Sequence, residues 1–246
     1  MKDLTWIKNG LFAHRGLHTL DHSVPENTLK AFILAIEKGY GIEMDVNMLK
    51  DGTIVVFHDK NLLRLCGVDK YLKDLNFEDL ETYRIENTEE KIHTLTEILS
   101  IIASRVPLLI ELKPFGDADT FCLNFMKVMD QYRGLWAMHS FHPAFVRWFY
   151  KNRPEVIRGQ ISEFFEDDLK MKKLSKFLMK HLWITLVTKP DFINYGIHNM
   201  PNRYLDRAQR KGTLVIGYAS RSQEDFDRVK KYYSNSVFEY FEPKKK

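Results

Sequence analysis

A chain of 246 residues with 44% apolar and 28% charged side chains has the composition of one large or two small soluble globular domains, and collagen-like and low-complexity classes are excluded. The net charge of +4 lies largely in Lys244–Lys246 and in the lysines between Lys170 and Lys180, which read as a frayed tail and a solvated helix face. No Lys/Arg and aromatic pattern of a nucleic-acid module occurs, although a mild positive bias suits anionic, phosphate-bearing ligands.

Cys66 and Cys122 have no metal-type spacing and read as free thiols of a reducing compartment. The opening MKDLTWIKNGLF lacks a signal-peptide core, and no run approaches the ~18–20 apolar residues of a membrane span. The expectation is a cytoplasmic protein.

Leu11–Ala13 is a short apolar strand ending in His14-Arg15-Gly16, the kind of strand lip where α/β folds place chemistry. Asn27 or Thr28 opens a helix with Leu29, Phe32, Ile33 and Ile36 on one stripe, and Gly39 stops it. The next strand, GIEMDV at 41–46, carries Glu43 and Asp45 two apart, hence on one face. Two carboxylates side by side in an apolar run are unfavourable unless a cation lies between them.

Asp51-Gly52 is the strongest short hairpin signal in the chain. A two-residue turn there pairs Lys50 with Thr53 and sets Asp45 opposite His58, bringing a histidine back to the carboxylate pair.

Leu62, Leu63 and Leu65 read as core, Asn76–Tyr83 as a short helix over Leu80, and Thr94 with Glu97 as a capping box before a helix. The unbroken apolar run 108–112 followed by Lys113-Pro114 predicts a strand buried on both faces, with Glu111 and Lys113 repeating the spacing of Glu43 and Asp45. Beyond it the pattern alternates. Strands are expected at 136–141, 157–162, 183–187, 214–219 and 237–240, and helices at 119–132, 142–152, 167–181, 201–211 and 223–233. In the helix at 167–181, Leu174, Phe177 and Leu178 are assigned to the inner face.

Eight strands with helical connections in this length predict an α/β chain, a (β/α)8 barrel, with the arm 53–57 as a hairpin extension after strand 2. A doubly wound open sheet is the alternative, without the Gly-rich dinucleotide fingerprint. In a barrel, His14, Arg15, Glu43, Asp45, Glu111, Lys113 and Phe141 all fall at the C-terminal ends of strands, where barrel active sites lie.

Glu43, Asp45 and Glu111 offer only oxygen, which favours Mg2+ or Ca2+ over Zn2+. His14 and His58 are proton carriers at neutral pH, and Arg15 and Lys113 supply positive charge for phosphate oxygens. That set matches displacement at phosphorus. His18, His22, His93, His181 and His198 read as loop or helix-end residues, His139 as part of the strand wall, and His142 as following the strand end.

AHRG at 13–16, PENT at 25–28 before AFILA, IEMDV at 42–46, KDGTIVVFHD at 50–59, LLR at 62–64, TLTEIL at 94–99, IELK at 110–113 and HSF at 139–141 occur in one order. With these motifs the chain resembles the glycerophosphodiester phosphodiesterase family, Gram-positive-type bacterial members in particular, over nearly its whole length.

The resemblance implies a single barrel domain (core about 9–243) of the phospholipase-C-like phosphodiesterase type. It implies hydrolysis of glycerophosphodiesters to glycerol 3-phosphate and an alcohol, with one divalent cation held by Glu43, Asp45 and Glu111. His14 and His58 take the acid–base roles, and Arg15 and Lys113 bind phosphate. The attacking group is water or the neighbouring glycerol hydroxyl, the latter giving a cyclic phosphate that water opens.

The chain departs from the family pattern in three places. Leu49 stands before the turn in place of Thr, His93-Thr94-Leu95 replaces Ile-Pro-Thr-Leu, and Tyr218 replaces a Trp as a pocket wall, a role shared with Phe141. Two further readings stand beside this one: a lipid phosphodiesterase acting on lysophospholipids, and a phosphate-binding barrel without catalysis.

Overall fold

The computed structural model describes residues 2–113 and 116–244. Pro114 and the last two lysines of the basic tail lie outside the described residues. The chain divides into two compact units, Phe12–Trp136 and Met1–Leu11 with Ala137–Lys246.

In the Phe12–Trp136 unit, β1 (Phe12–Ala13) pairs in parallel with β2 (Gly41–Met48), and β2 in turn with β4 (Leu108–Leu112). A helix lies in each crossover, as parallel pairing requires. The first (Leu29–Glu37) is capped by Thr28, whose side chain accepts from the Ala31 amide. The second (Leu95–Ile102) begins with the expected capping box of Thr94 and Glu97.

Between β2 and β4 the chain turns back as β3 (Ile54–Val56), antiparallel to β2. The register is Val46 to Val56, one residue away from the register that the two-residue turn predicts. The turn is longer by a residue. Leu49 pairs with Thr53, and Gly52 at φ +87° closes a Lys50-Asp51-Gly52 loop. Its polar groups explain the choice. The Lys50 amide donates to the Leu75 carbonyl, and Asp51 accepts from the Thr53 and Phe77 amides.

Burial then fixes the register, because a one-residue slip exchanges the faces of a strand. Val55 and Phe57 pack with Leu49, Leu62, Leu65, Leu72 and Leu80 in a small core of their own. The arm is thus covered by the segment that follows it. Leu62 and Leu65 are core as expected, while Leu63 is exposed. The segment Asn76–Tyr83 forms a 3-10 helix at Phe77–Thr82.

In the other unit, β5 (Trp136–Ser140, entering this unit at Ala137), β6 (Arg158–Ser162), β7 (Phe192–Gly196), β8 (Leu214–Ser220) and β9 (Asn235–Phe238) form a run of parallel pairs. The intervening helices include Pro143–Asn152, Lys173–Lys180, Thr185–Thr188, Arg203–Arg210 and Gln223–Tyr232.

One expected strand is elsewhere. The run WITLV at 183–187 is a helical turn and β7 is FINYG, nine residues later. Trp183, Leu186 and Val187 are exposed, whereas every residue of β7 is buried. β-propensity describes fit to a half-buried pleated surface, and 183–187 has no such surface to fit. Asp191 marks the true entry, its carboxylate accepting from Lys2 and from the Arg158 amide.

Candidate active site

The parallel register of β2 and β4 sets Asp45 beside Glu111. Glu43 lies two residues from Asp45 on the same face, and one carboxylate oxygen from each of the three lies within 4.8 Å of the others. All three side chains are buried.

Three buried carboxylates at this spacing repel one another, and neighbouring donors offset the repulsion. Lys113 Nζ lies 2.9 Å from Asp45 Oδ1 and 2.7 Å from Glu111 Oε1. Arg15 Nε lies 3.2 Å from Asp45 Oδ2, and the Arg15 amide donates to Glu43 Oε2 at 3.1 Å. Burial alone pushes the Asp45 carboxyl up, yet Lys113, His58, Arg15 and His14 together hold it well below the usual carboxylate range. Burial likewise opposes the Lys113 ammonium, and Asp45 and Glu111 more than restore it, leaving its pKa raised.

The loop after β1 supplies Arg15 in the left-handed region, φ 55°. Gly16 follows at φ +79°, where an added Cβ would stand 2.8 Å from the Ala31 Cβ, so only glycine lets this loop lie against the helix Leu29–Glu37. The same loop brings His14 Nε2 to 3.8 Å from Glu43 Oε2.

His58 has left the ladder, since Phe57 is the residue whose amide bonds to the Asp45 carbonyl. The expected level with Asp45 is therefore taken by Phe57. His58 still lies close enough to help hold Asp45 ionised. Asn47 supports this segment, its Nδ2 donating to the Phe57 carbonyl at 2.8 Å and the Asp59 carbonyl at 3.2 Å. Asn47 was legible as the third member of the alternation Glu43, Asp45, Asn47 on one face.

Four further residues complete the network. His58 Nδ1 is 2.5 Å from Asp59 Oδ1, a contact that engages one of its two ring nitrogens. Arg64 donates to Asp59 and, with two nitrogens, to Glu26, which also accepts from Arg15 Nη1 at 2.8 Å. Asn27, at φ 56°, donates to Asp45 Oδ2 and accepts from the Asp45 amide. The motifs PENT, HD and LLR contain Glu26, Asn27, Asp59 and Arg64, but their spacing does not announce that the residues meet.

Glu26, Glu43, Asp45, Asp59 and Glu111 are five carboxylates against three cations, Arg15, Arg64 and Lys113. The carboxylates outnumber the permanent cations by two, a surplus that one divalent ion would balance. An all-oxygen donor set at Glu43, Asp45 and Glu111 fits a hard cation of the Mg2+ or Ca2+ class.

In the other unit, Phe141 meets Tyr218 edge-on with ring centroids 5.6 Å apart and Phe165 at 6.1 Å. The Tyr218 hydroxyl donates to Glu163 Oε2 at 2.9 Å. Gln160 Nε2 donates to the Ser140 and Phe141 carbonyls and so holds the end of β5. Neither Glu163 nor Gln160 carried a signal beyond its place on a strand end.

The remaining histidines with clear partners have structural ones. His22 pairs with Glu86 and His93 with Glu97. His139 is buried in the strand wall, and His142 caps the helix Pro143–Asn152 by accepting from the Ala144 amide. His181 stacks on Phe177.

A family model described as the glycerophosphoryl diester phosphodiesterase family matches residues 14–239. A Bacillus altitudinis glycerophosphodiester phosphodiesterase is 29% identical over 158 residues, 59% of this chain and 63% of that protein. One from Caldanaerobacter subterraneus is 36% identical over 106 residues, 40% of this chain and 42% of that protein. The matched stretch thus spans less than two thirds of either relative's own length.

Among solved structures, an Oleispira antarctica phosphodiesterase in complex with the product sn-glycerol-3-phosphate aligns over 94% of this chain and 93% of its own, with a TM-score of 0.78 and 22% identity. A Thermotoga maritima glycerophosphodiester phosphodiesterase aligns over 93% of both chains, with a TM-score of 0.71 and 22% identity. The fold class is accordingly the (β/α)8 barrel.

Proposed function

The chain belongs to the glycerophosphoryl diester phosphodiesterase family, and from that premise we propose that it hydrolyses glycerophosphodiesters to glycerol 3-phosphate and an alcohol, using one divalent cation. The observation that carries the proposal is the convergence of Glu43, Asp45 and Glu111 within 4.8 Å, with His14, His58 and Arg15 gathered around them. The family match runs across both compact units, which supports reading residues 1–246 as one domain.

Glu43, Asp45 and Glu111 are the proposed ligands of the cation, Mg2+ or Ca2+. When bound, that ion supplies Lewis-acid charge to a phosphoryl oxygen. Arg15 and Lys113 are the proposed phosphate binders. An ammonium has three N–H bonds, and with two directed at Asp45 and Glu111 the third is left for a phosphate oxygen. Arg15 Nη1 donates to Glu26 and Nε stands in ion-pair range of Asp45, so Nη2 is the nitrogen proposed for the same task.

His14 and His58 form the proposed acid–base pair. One removes the proton from the attacking hydroxyl, of water or of the neighbouring glycerol carbon. The other gives a proton to the leaving alkoxide as the P–O bond breaks. Asp59 orients His58 through Nδ1. Phe141 and Tyr218 are the proposed walls for the substrate's alcohol portion, with Glu163 fixing the Tyr218 hydroxyl.

The test is a panel of glycerophosphodiesters, glycerophosphocholine and glycerophosphoethanolamine included, with Mg2+ or Ca2+ and a chelator control. Release of glycerol 3-phosphate that stops with the chelator is expected. No release from any member with either metal would overturn the reading.

A further inference from the structure

Residues 169–190 contain six lysines and not one Asp or Glu. Of the fifteen exposed large hydrophobics among the described residues, six lie in this stretch. Leu169 is 94% exposed, Leu174 69%, Leu186 66% and Trp183 54%, with Phe177 and Val187 also exposed. Sequence spacing assigns Leu174 and Phe177 to the inner face, but on the helix Lys173–Lys180 it is Met179 that is buried, and they project outward. Single exposed apolar residues need no explanation, whereas six within one stretch whose only formal charges are positive do.

The helix Arg203–Arg210 extends the same character. Arg203, Arg207 and Arg210 recur at helical spacing and, with Lys189, Lys211, Leu182, Trp183, Leu186 and Tyr204, line a groove of about 900 Å³. The helix's Asp206 is committed to the fold, accepting the Tyr233 hydroxyl at 2.9 Å. Asp168, at the edge of the stretch, accepts the Lys170 and Met171 amides.

We propose that residues 169–190 and the basic face of the helix Arg203–Arg210 form a docking surface for an anionic phospholipid bilayer. The chemistry is that of a segment lying in the interface plane. Leucines and a tryptophan enter the headgroup–acyl boundary while lysines and arginines remain at the phosphates. No helix among the described residues is long and apolar enough to cross a membrane, so the contact is peripheral.

Charge selects this occupant over others. A two-fold pairing of two copies through the patch would set lysines against lysines with no acid in the stretch to answer them. A nucleic acid would answer the charge and could stack on Phe177 and Trp183, but it has no use for Leu169, Leu174, Leu186 and Val187, four of the six exposed apolar side chains.

The test is co-sedimentation of the full chain with vesicles of phosphatidylcholine alone and of phosphatidylcholine mixed with phosphatidylglycerol. Binding to the mixed vesicles only, weakened by added salt, is expected. The Lys172→Gln/Lys173→Gln pair should weaken it roughly thirtyfold, the effect of two lysines at an anionic surface. Leu174→Ser/Leu186→Ser should weaken it at unchanged charge. Circular dichroism and thermal melting identical to wild type show that both variants are folded.

No binding to either vesicle, equal binding to both, or binding unchanged in either folded variant overturns the proposal. An acidic protein or nucleic acid as the true partner would appear as the first of these outcomes. The readout is partition alone, so it stands or falls separately from the hydrolysis assay.

Discussion

Arg64 holds Glu26 with a two-nitrogen fork, Nη1 to Oε2 at 3.0 Å and Nη2 to Oε1 at 2.7 Å, across 38 residues of sequence. The same guanidinium donates to Asp59, the partner of His58, while Glu26 accepts from Arg15, which contacts Asp45. A continuous chain of charged groups therefore links the proposed acid–base histidine to the proposed metal ligands.

Arg64→Met should lower kcat about 10- to 100-fold, the range for losing a group that orients a site residue, with little change in KM. Arg64 is half exposed, so its stability cost should be only on the order of 1 kcal/mol. Arg64→Lys keeps the charge but not the fork and should recover only part of the loss. Steady-state kinetics on the best substrate of the panel decides it, and a kcat equal to wild type for Arg64→Met would remove Arg64 from the site.

Glu26 gives the network a pH signature. Burial raises its carboxyl pKa, but Arg64 and Arg15 outweigh burial and the net shift is downward. A depressed folded-state pKa contributes stability that is fully present above the unfolded value, about 4.3, and is lost as pH falls through the folded one. Wild type should therefore lose thermal stability on acidification below about pH 5 more steeply than Glu26→Gln. At neutral pH the variant should be less stable by about 2–3 kcal/mol, because two arginines lose their anion. Melting temperatures of both proteins between neutral and acid pH test this. Parallel curves would show that Glu26 does not titrate as its surroundings dictate.

The alternation in the sequence carried most of the fold, and the limits of that reading are physical. Glu43, Asp45 and Glu111 were legible because strand periodicity is strict and parallel neighbours align in register. The turn at Lys50-Asp51-Gly52 was misjudged by one residue because its outcome depends on the Leu75 carbonyl and the Phe77 amide, groups remote in sequence. Strand β7 was missed because WITLV has strand-like composition and the covering that decides between strand and helix is tertiary. Leu174 and Phe177 show the same limit, since helical spacing identifies a stripe but not what covers it. The bridge from Asp59 through Arg64 to Glu26 is a contact between distant motifs and leaves no periodic trace.

The carboxylate cluster makes a prediction that needs no substrate. Mg2+ or Ca2+ should raise the melting temperature of the wild type by mass action, with about 2.7 kcal/mol of stabilisation at a hundredfold excess over Kd. Glu111→Gln removes the charge of one of the three buried carboxylates proposed as ligands. It should abolish most of the metal-dependent shift at the same concentration while the metal-free protein still melts cooperatively. Calorimetric titration gives the same comparison directly. A shift of equal size in wild type and variant would place the cation elsewhere.

Substitution at His58 would separate the proposed proton transfer from the proposed metal binding. Its ring touches Asp59 rather than any of the three clustered carboxylates, and it acts on Asp45 only through space. His58→Ala should cut turnover by about 10²- to 10⁴-fold, the usual worth of a positioned acid or base. Metal-dependent stabilisation should persist close to the wild-type value. Glu43→Gln should behave oppositely, losing the stabilisation along with turnover. Measuring both quantities on both variants distinguishes the roles. Wild-type turnover in His58→Ala would dismiss it as the proton carrier, and lost metal stabilisation in that variant would make it a ligand instead.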